Sequence, residues 1–167
     1  IYLDIEEYDK CISDLNQVIK LGKADDWTYV DSGDCYAFND DYDNAMSDYD
    51  KAIELNLEST DAYAARALIG LQLLKTGCDT SLNDMIKSEK TGSTVDTLTI
   101  ASAVYANCGD LKKAVDSNRS ALKLLPNDTG WFVTARLVVL LYETGQIEEI
   151  YKLLGKNIEA KDMEYRV

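Results

Sequence analysis

The strongest constraint on this chain is that it repeats itself. The stretch "CYAFNDDYDNAMSDYDKAIELNL" (35–57) superposes without a gap on "VYANCGDLKKAVDSNRSALKLLP" (104–126), at an offset of 69. Tyr36 meets Tyr105, Asp40 meets Gly109, Tyr42 meets Leu111, Ala45 meets Ala114, Tyr49 meets Asn118 and Ala52 meets Ala121. Sixty-nine is the sum of two shorter periods, 34 and 35. Thirty-four residues upstream, Tyr8, Cys11, Leu15 and Val18 take the places of Tyr42, Ala45, Tyr49 and Ala52. Thirty-six residues downstream, Gly145, Ile147 and Ile150 take those of Gly109, Leu111 and Ala114. The intervening unit is less regular: Gly77 precedes Gly109 by 32, which puts the bulkier Leu82 where Ala45 and Ala114 would place an alanine. A period of this length means stacked units, each too small to bury its apolar face alone.

Within a unit the apolar spacing is helical. Tyr42, Ala45, Met46, Tyr49, Ala52 and Ile53 lie at 0, 3, 4, 7, 10 and 11, a stripe down one helix face, and strand-like alternation occurs nowhere. Boundaries fall at "KTGCDT" (75–80), "NCGD" (107–110), "LLPND" (124–128) and "ETGQ" (143–146), with Asp110 and Asn127 or Asp128 as N-caps. Ser93 with Asp96 reads as a variant capping box. One proline and nine glycines leave no room for long loops. The spacing predicts helices near 5–21, 26–39, 42–56, 60–75, 80–90, 95–107, 110–124, 129–143 and 146–158. The pattern is already under way at Ile1, so the sequence reads as a piece of a longer protein.

"GDLKKAVDSNRSALKLLP" (109–126) resembles the second helix of a tetratricopeptide repeat, and Gly33 with Tyr36 resembles the small-residue and aromatic pair of its first helix. The resemblance implies an all-α, right-handed superhelical solenoid of antiparallel helix pairs, with residues 1–167 forming one domain. It divides the chain into a partial unit 1–24, units 25–58, 59–93, 94–128 and 129–158, and a tail 159–167, about four and a half repeats.

Several chemistries can be weighed on the residues alone. The acidic run at 39–55 invites a calcium loop, but with Asp41 as first ligand the fifth is Ala45, the turn glycine Met46 and the bidentate glutamate Ala52. Those alanines belong to the repeat stripe, so Asp43, Asp50 and Glu54 form a solvated helix face. No metal site or cofactor is expected. Histidine is absent, so no Ser/His/Asp or Cys/His set exists, and no phosphate-binding glycine loop occurs. The chain reads as no enzyme. Cys11, Cys35, Cys78 and Cys108, spaced 24, 43 and 30 apart, contain no C-x-x-C and read as reduced thiols of a cytoplasmic protein. Net charge −13 disfavours nucleic acid and anionic membranes, and "WFVTARLVVLLY" (131–142) is too short to cross a bilayer.

Binding remains. The resemblance implies a concave groove lined by the first helix of each pair, for a protein or peptide partner. Helical spacing puts Trp27, Val30, Asp34, Ala37, Phe38 and Asp41 on that face in the second unit. It puts Asp96, Thr99, Ala103, Ala106 and Asn107 there in the fourth, and Phe132, Ala135, Val139, Tyr142 and Glu143 in the fifth. Ala64, Ala67 and Leu71 are the third unit's candidates. Members of the resembled family that clamp a chaperone's C-terminal carboxylate use lysine, asparagine and arginine here. The matching places hold Val30, Asp34, Thr99 and Ala103, which argues against a chaperone tail. The lining suits a basic segment with apolar anchors, Trp27 and Phe38 being its counterparts. Two alternatives stand beside this scaffold reading: a structural module that self-associates as a homodimer, and the docking domain of a larger protein whose catalytic part lies elsewhere.

Overall fold

The computed structural model describes residues 5–72, 77–125 and 130–154. Among them lie nine α-helices and no strand: α1 (Ile5–Lys20), α2 (Asp26–Phe38), α3 (Tyr42–Leu55), α4 (Thr60–Gln72), α5 (Cys78–Thr91), α6 (Val95–Asn107), α7 (Leu111–Leu124), α8 (Trp131–Glu143) and α9 (Ile147–Leu153). The fold is an all-α helical-repeat solenoid. The predicted N-cap at Asn127 or Asp128 and the tail 159–167 fall outside the described residues.

Short polar side chains set the helix starts. Asp25 accepts the backbone N–H of Thr28 while the Thr28 hydroxyl accepts the Asp25 N–H, a reciprocal box that opens α2. Thr94 and Thr97 repeat the arrangement at α6, so the cap is one residue later than the expected Ser93–Asp96 pair. Asp41 and Asp110 cap α3 and α7 by accepting the N–H of Asn44 and Lys113. Each of these two helices follows a tight turn through one left-handed residue, Asp40 (φ 59°) or Gly109 (φ 84°). Aspartate tolerates that conformation less well than glycine does.

Antiparallel neighbours pack through a small–large–small pattern. The buried stripe is Ala45, Tyr49, Ala52 on α3 and Ala114, Asn118, Ala121 on α7. On α5 it is Ser81, Met85 and Ser88, so the alanine place of the third unit belongs to Ser81, not Leu82. Leu82 sits one position round the helix, half-buried against the main core. Each facing helix is shaped to its partner. A Cβ on Gly33 would lie 2.6 Å from Cε1 of Tyr49. At the equivalent place Ser102 supplies a hydroxyl that accepts the Asn118 amide at 2.8 Å, fully buried. The largest cluster joins α4 to α9 through Ala64, Ala67, Met85, Val104, Tyr105, Leu137, Leu141 and Ile150.

The joints between successive pairs carry cross-links. Cys11 of α1 is bonded to Cys35 of α2, and Cys78 of α5 to Cys108 at the end of α6. None of the four is a free thiol. The expected reduced thiols are therefore corrected, and a cytoplasmic location no longer follows from the cysteines. Spacing could not show this, because each partner comes from the next pair along the array. Between α3 and α4 the link is Arg66, which donates to Asp50 at 2.6 Å and, through two nitrogens at 2.9 and 2.7 Å, to buried Asp84 of α5. Arg119 of α7 reaches Glu149 and Gln146 at the start of α9 in the same manner.

Candidate functional site

Helices α2, α4 and α6 lie side by side, each packing on the next but one in the chain. Small residues permit that approach: Ala64 and Ala65 on α4 face Val30 on α2 and Ile100 on α6. Where the three helices diverge they leave a cleft of about 310 Å³, lined by Trp27, Asp31, Asp34, Asp61, Thr94, Asp96, Thr97 and Ile100 among others. A second hollow of about 370 Å³ shares Trp27, Asp61 and Thr94 and continues towards the helix starts through Asp26, Asn56 and Glu58.

Electrostatically the cleft is uncompensated. No lysine or arginine among the described residues pairs with Asp31, Asp34, Asp61 or Asp96. Burial raises the pKa of Asp34, partly opposed by the Tyr49 hydroxyl that donates to it at 2.7 Å, and the charges of Asp31 and Asp61 raise it further. Asp61 is raised by burial and by Asp96, and Asp31 by burial and by Asp25. The Tyr49 phenol is pushed far up by burial and by the Asp34 carboxylate beside it, so it stays a donor. A cation entering here would meet carboxylates that now repel one another.

The expected lining residues divide into three groups. Trp27, 58% exposed, stands at the cleft with Asp34. Val30 borders it but is 4% exposed and packs with Ala52, Ile53, Ala62 and Tyr63, so its main contribution is to the core. Ala64 and Ala67 are likewise core, Ala64 alone also touching the cleft. Phe38 and Asp41 lie at the other end of α2: Phe38 stacks on Tyr8 of α1 at 5.4 Å, and Asp41 is occupied in capping α3. Asn107, whose amide donates to the Ala103 carbonyl, borders a separate hollow of about 390 Å³ with Arg136, Val139 and Glu143. Phe132 and Tyr142 are exposed on α8, on a face shared with Ala135 and Val139.

Sequence reasoning missed Asp31 and Asp61. Asp31 follows Trp27 by four residues and precedes Asp34 by three, so helical spacing already contained it. Asp61 precedes the expected Ala64 by three residues, on the same helix face.

The remaining aspartates of the 39–55 run are spread over different tasks. Asp40 occupies the left-handed turn, Asp43 is exposed in the first turn of α3, Asp48 is half-buried, and Asp50 holds Arg66. Lys51 pairs with Glu54 at 2.7 Å on the outer face.

Three comparisons with known proteins place the fold. The family described as "Tetratricopeptide repeat" matches residues 28–59. Anaphase-promoting complex subunit 3 of Schizosaccharomyces pombe is 24% identical over 140 residues, which covers 82% of this chain and 21% of that protein. This chain thus spans about a fifth of that relative's length. Among solved structures, MamA superposes with a TM-score of 0.70 at 17% identity, covering 92% of both chains. YrrB, described as "a TPR protein with an unusual peptide-binding site", gives 0.69 at 20% identity, covering 83% of this chain and 70% of its own. A thermophilic TPR protein of Thermus thermophilus gives 0.69 at 15%, covering 83% and 75%. Residues 28–59 thus match the tetratricopeptide-repeat family, and the chain shares the fold of these solved repeat proteins.

Proposed function

We propose that the cleft between α2, α4 and α6 docks an extended or helical segment of a protein partner, one that presents lysine or arginine beside apolar side chains. The chain acts as a scaffold and contributes no catalysis of its own. One observation carries this: Asp31, Asp34, Asp61 and Asp96 line a cleft without a balancing cation, beside a largely exposed tryptophan. A cationic side chain would favour the charged form of three carboxylates that burial, and secondarily neighbouring aspartates, disfavour, and an apolar neighbour would cover Trp27. Lining of this kind offers nothing to a terminal carboxylate, which removes chaperone tails from consideration.

The test is titration of labelled peptides against the purified chain, followed by anisotropy. Lysine-rich peptides with interspersed leucine should bind, and more weakly as salt rises. Glutamate-substituted versions should not. Asp34→Asn with Asp61→Asn should abolish the preference, and Trp27→Ala should weaken binding by about 1–2 kcal/mol. Equal binding of basic and acidic peptides would refute the reading.

A second reading has its own observation. Trp131, Phe132, Val139 and Tyr142 of α8 are 77%, 45%, 55% and 71% exposed, an apolar face suited to a second copy. Sedimentation at micromolar concentration decides it, since a monomer excludes the homodimer. The coverage of only 21% of the subunit 3 relative keeps a third role open, docking domain of a longer protein. No helix among the described residues is long and apolar enough to cross a membrane.

A further inference from the structure

The repeat register sorts the four carboxylates of the cleft into two pairs. The second residue of each first helix is Trp27 on α2, Asp61 on α4, Asp96 on α6 and Phe132 on α8. Carboxylates therefore stand at the same level on the two middle helices. Four and seven places further along, α2 carries Asp31 and Asp34, where α4 has Ala65 and Leu68 and α6 has Ile100 and Ala103. One pair thus lies on a single helix, three residues apart and on one face. The other, Asp61 with Asp96, spans neighbouring helices. Ala64, Ala65 and Ile100 line the same cleft and carry no charge.

The mutual influence of the carboxylates follows the same division. Burial is the largest cause of the raised pKa of Asp61 and of Asp34; among neighbouring charges, Asp61 answers to Asp96, and Asp34 to Asp31 ahead of Asp61. Among the described residues no three acidic side chains converge closely enough to hold one metal ion, so the charge is spread along the cleft. Helices packed side by side stand about 8–10 Å apart, which sets the distance from one pair to the other. A single ammonium or guanidinium seated on one pair leaves the other without a partner. Trp27 borders both hollows and lies one helical turn before Asp31, so it flanks the α2 pair.

We propose that the cleft takes two cationic side chains at once, presented on an extended segment with two residues between them. One seats on Asp31 and Asp34, the other between Asp61 and Asp96. This pairing rests on the cleft being the docking site of a basic partner, and adds the number and spacing of the cations. A polyproline II segment has three residues per turn and rises about 3.1 Å per residue, so side chains at i and i+3 share a face about 9 Å apart. That equals one step between packed helices. A β-strand turns i and i+3 to opposite faces and brings i and i+2 only about 7 Å apart. An α-helix reaches the distance at i and i+7, about 10.5 Å, with a body about 10–12 Å thick that exceeds one step between helices. The partner segment therefore carries lysine or arginine at i and i+3, and an apolar residue beside the first covers Trp27.

Two labelled proline-rich peptides of equal length and charge serve as rulers, their lysines separated by two prolines in one and by five in the other. Both hold the lysines on one face, about 9 and about 19 Å apart. Anisotropy with the whole, unaltered chain should show the short ruler binding roughly tenfold tighter or more, because its second contact is intramolecular. The long ruler should stay within about twofold of a single-lysine peptide. In Asp61→Asn with Asp96→Asn, and separately in Asp31→Asn with Asp34→Asn, the short ruler should fall to the single-lysine level. Equal binding of the two rulers would overturn the pairing and leave a docking site for a basic partner standing. Tighter binding of an alanine-based helical peptide with lysines seven apart would do the same. If neither ruler binds better than its glutamate-substituted version, the reading of the cleft fails and the pairing with it.

Discussion

Arg66→Ala offers the most searching test of how the array is held together. Its guanidinium makes two hydrogen bonds to Asp84 and one to Asp50. The two partners differ in environment: the Asp50 side chain is 58% exposed and that of Asp84 5%. An exposed pair contributes at most about 1 kcal/mol. Removing the arginine leaves the Asp84 carboxylate buried without a cation, and breaking a pair in this way costs about 3–5 kcal/mol. For a chain of this length that lowers Tm by roughly 6–20 °C, at about 2–4 °C per kcal/mol. Asp84→Asn should cost less, because an amide oxygen still accepts from Arg66. Replacing both by apolar residues, Arg66→Met with Asp84→Leu, should return to within about 2 kcal/mol of the parent. The natural assay is urea denaturation followed by tryptophan fluorescence, since Trp27 and Trp131 stand on opposite sides of the Arg66 joint. With Trp131→Phe or Trp27→Phe, each half reports alone. Loss of the arginine should separate the two midpoints, as nearest-neighbour coupling in a linear array requires. A destabilisation below about 1 kcal/mol, or a double variant no better than Arg66→Ala, would refute the reasoning.

Gly33→Ala should destabilise by about 1–3 kcal/mol through collision with Tyr49, whereas Gly33→Ser with Tyr49→Asn, copying Ser102–Asn118, should recover most of it; thermal melts compare the two. Asp40→Gly relieves a left-handed aspartate and should raise stability by up to about 1 kcal/mol by urea titration. Binding of a lysine-rich peptide should weaken as pH falls into and just above the usual aspartate range. Asp31, Asp34 and Asp61 have raised pKa values, so they take up protons before ordinary carboxylates do and lose their attraction for the cation. In the free chain the sign reverses: raised carboxylates bind protons more tightly folded than unfolded, so these three oppose folding at neutral pH and cease to as pH falls through their folded values. Peptide titrations and melts from pH 7 to 4 should therefore move in opposite directions in the region of these residues.

Helix positions were legible because the apolar stripe repeats. Tyr42, Ala45, Tyr49 and Ala52 announce one buried face, and a second copy at an offset of 69 fixes where the turn before it lies. The third unit misled, because Ser81 and Ser88 serve there as small buried residues and serine carries no hydrophobic signal. Leu82 drew the frame of α5 one position away; Asp61, three residues before the expected Ala64 on the same face of α4, was simply not counted. Val30 and Asp34 sit one helical turn apart, but the first also meets α3 and α4 while the second is left to the cleft. Spacing on one helix cannot say which neighbours arrive. The cysteines were misread for a related reason. A spacing of 24 or 30 residues has meaning only once it is known that the second helix of one pair lies against the first helix of the next.

Arg119 shows how the same kind of link behaves at a joint with less around it. Asp50 and Arg119 hold equivalent places, at the 69-residue offset, and each points its charge towards the following pair. The charge is reversed, and so is its partner: Arg66 answers Asp50, and Glu149 answers Arg119. The surroundings differ more than the sign does. Side-chain exposures are 32% for Arg119 and 39% for Glu149, and α9 has seven residues with Ile150 buried. Arg119→Ala should accordingly cost about 1 kcal/mol or less of global stability. Its effect should be local, with faster amide exchange in 147–153 and little change in α3 or α5. The Arg119 hydrogen bond depresses the Glu149 pKa. That contribution is present above the unfolded-state value of glutamate and is lost as pH falls through the depressed one, so the protection of 147–153 relative to intrinsic exchange at the same pH should also fall on acidification in the parent but not in the variant. If Arg119→Ala instead lowered stability as far as Arg66→Ala does, the cost would not follow burial of the stranded carboxylate. The electrostatic account of both joints would then fail.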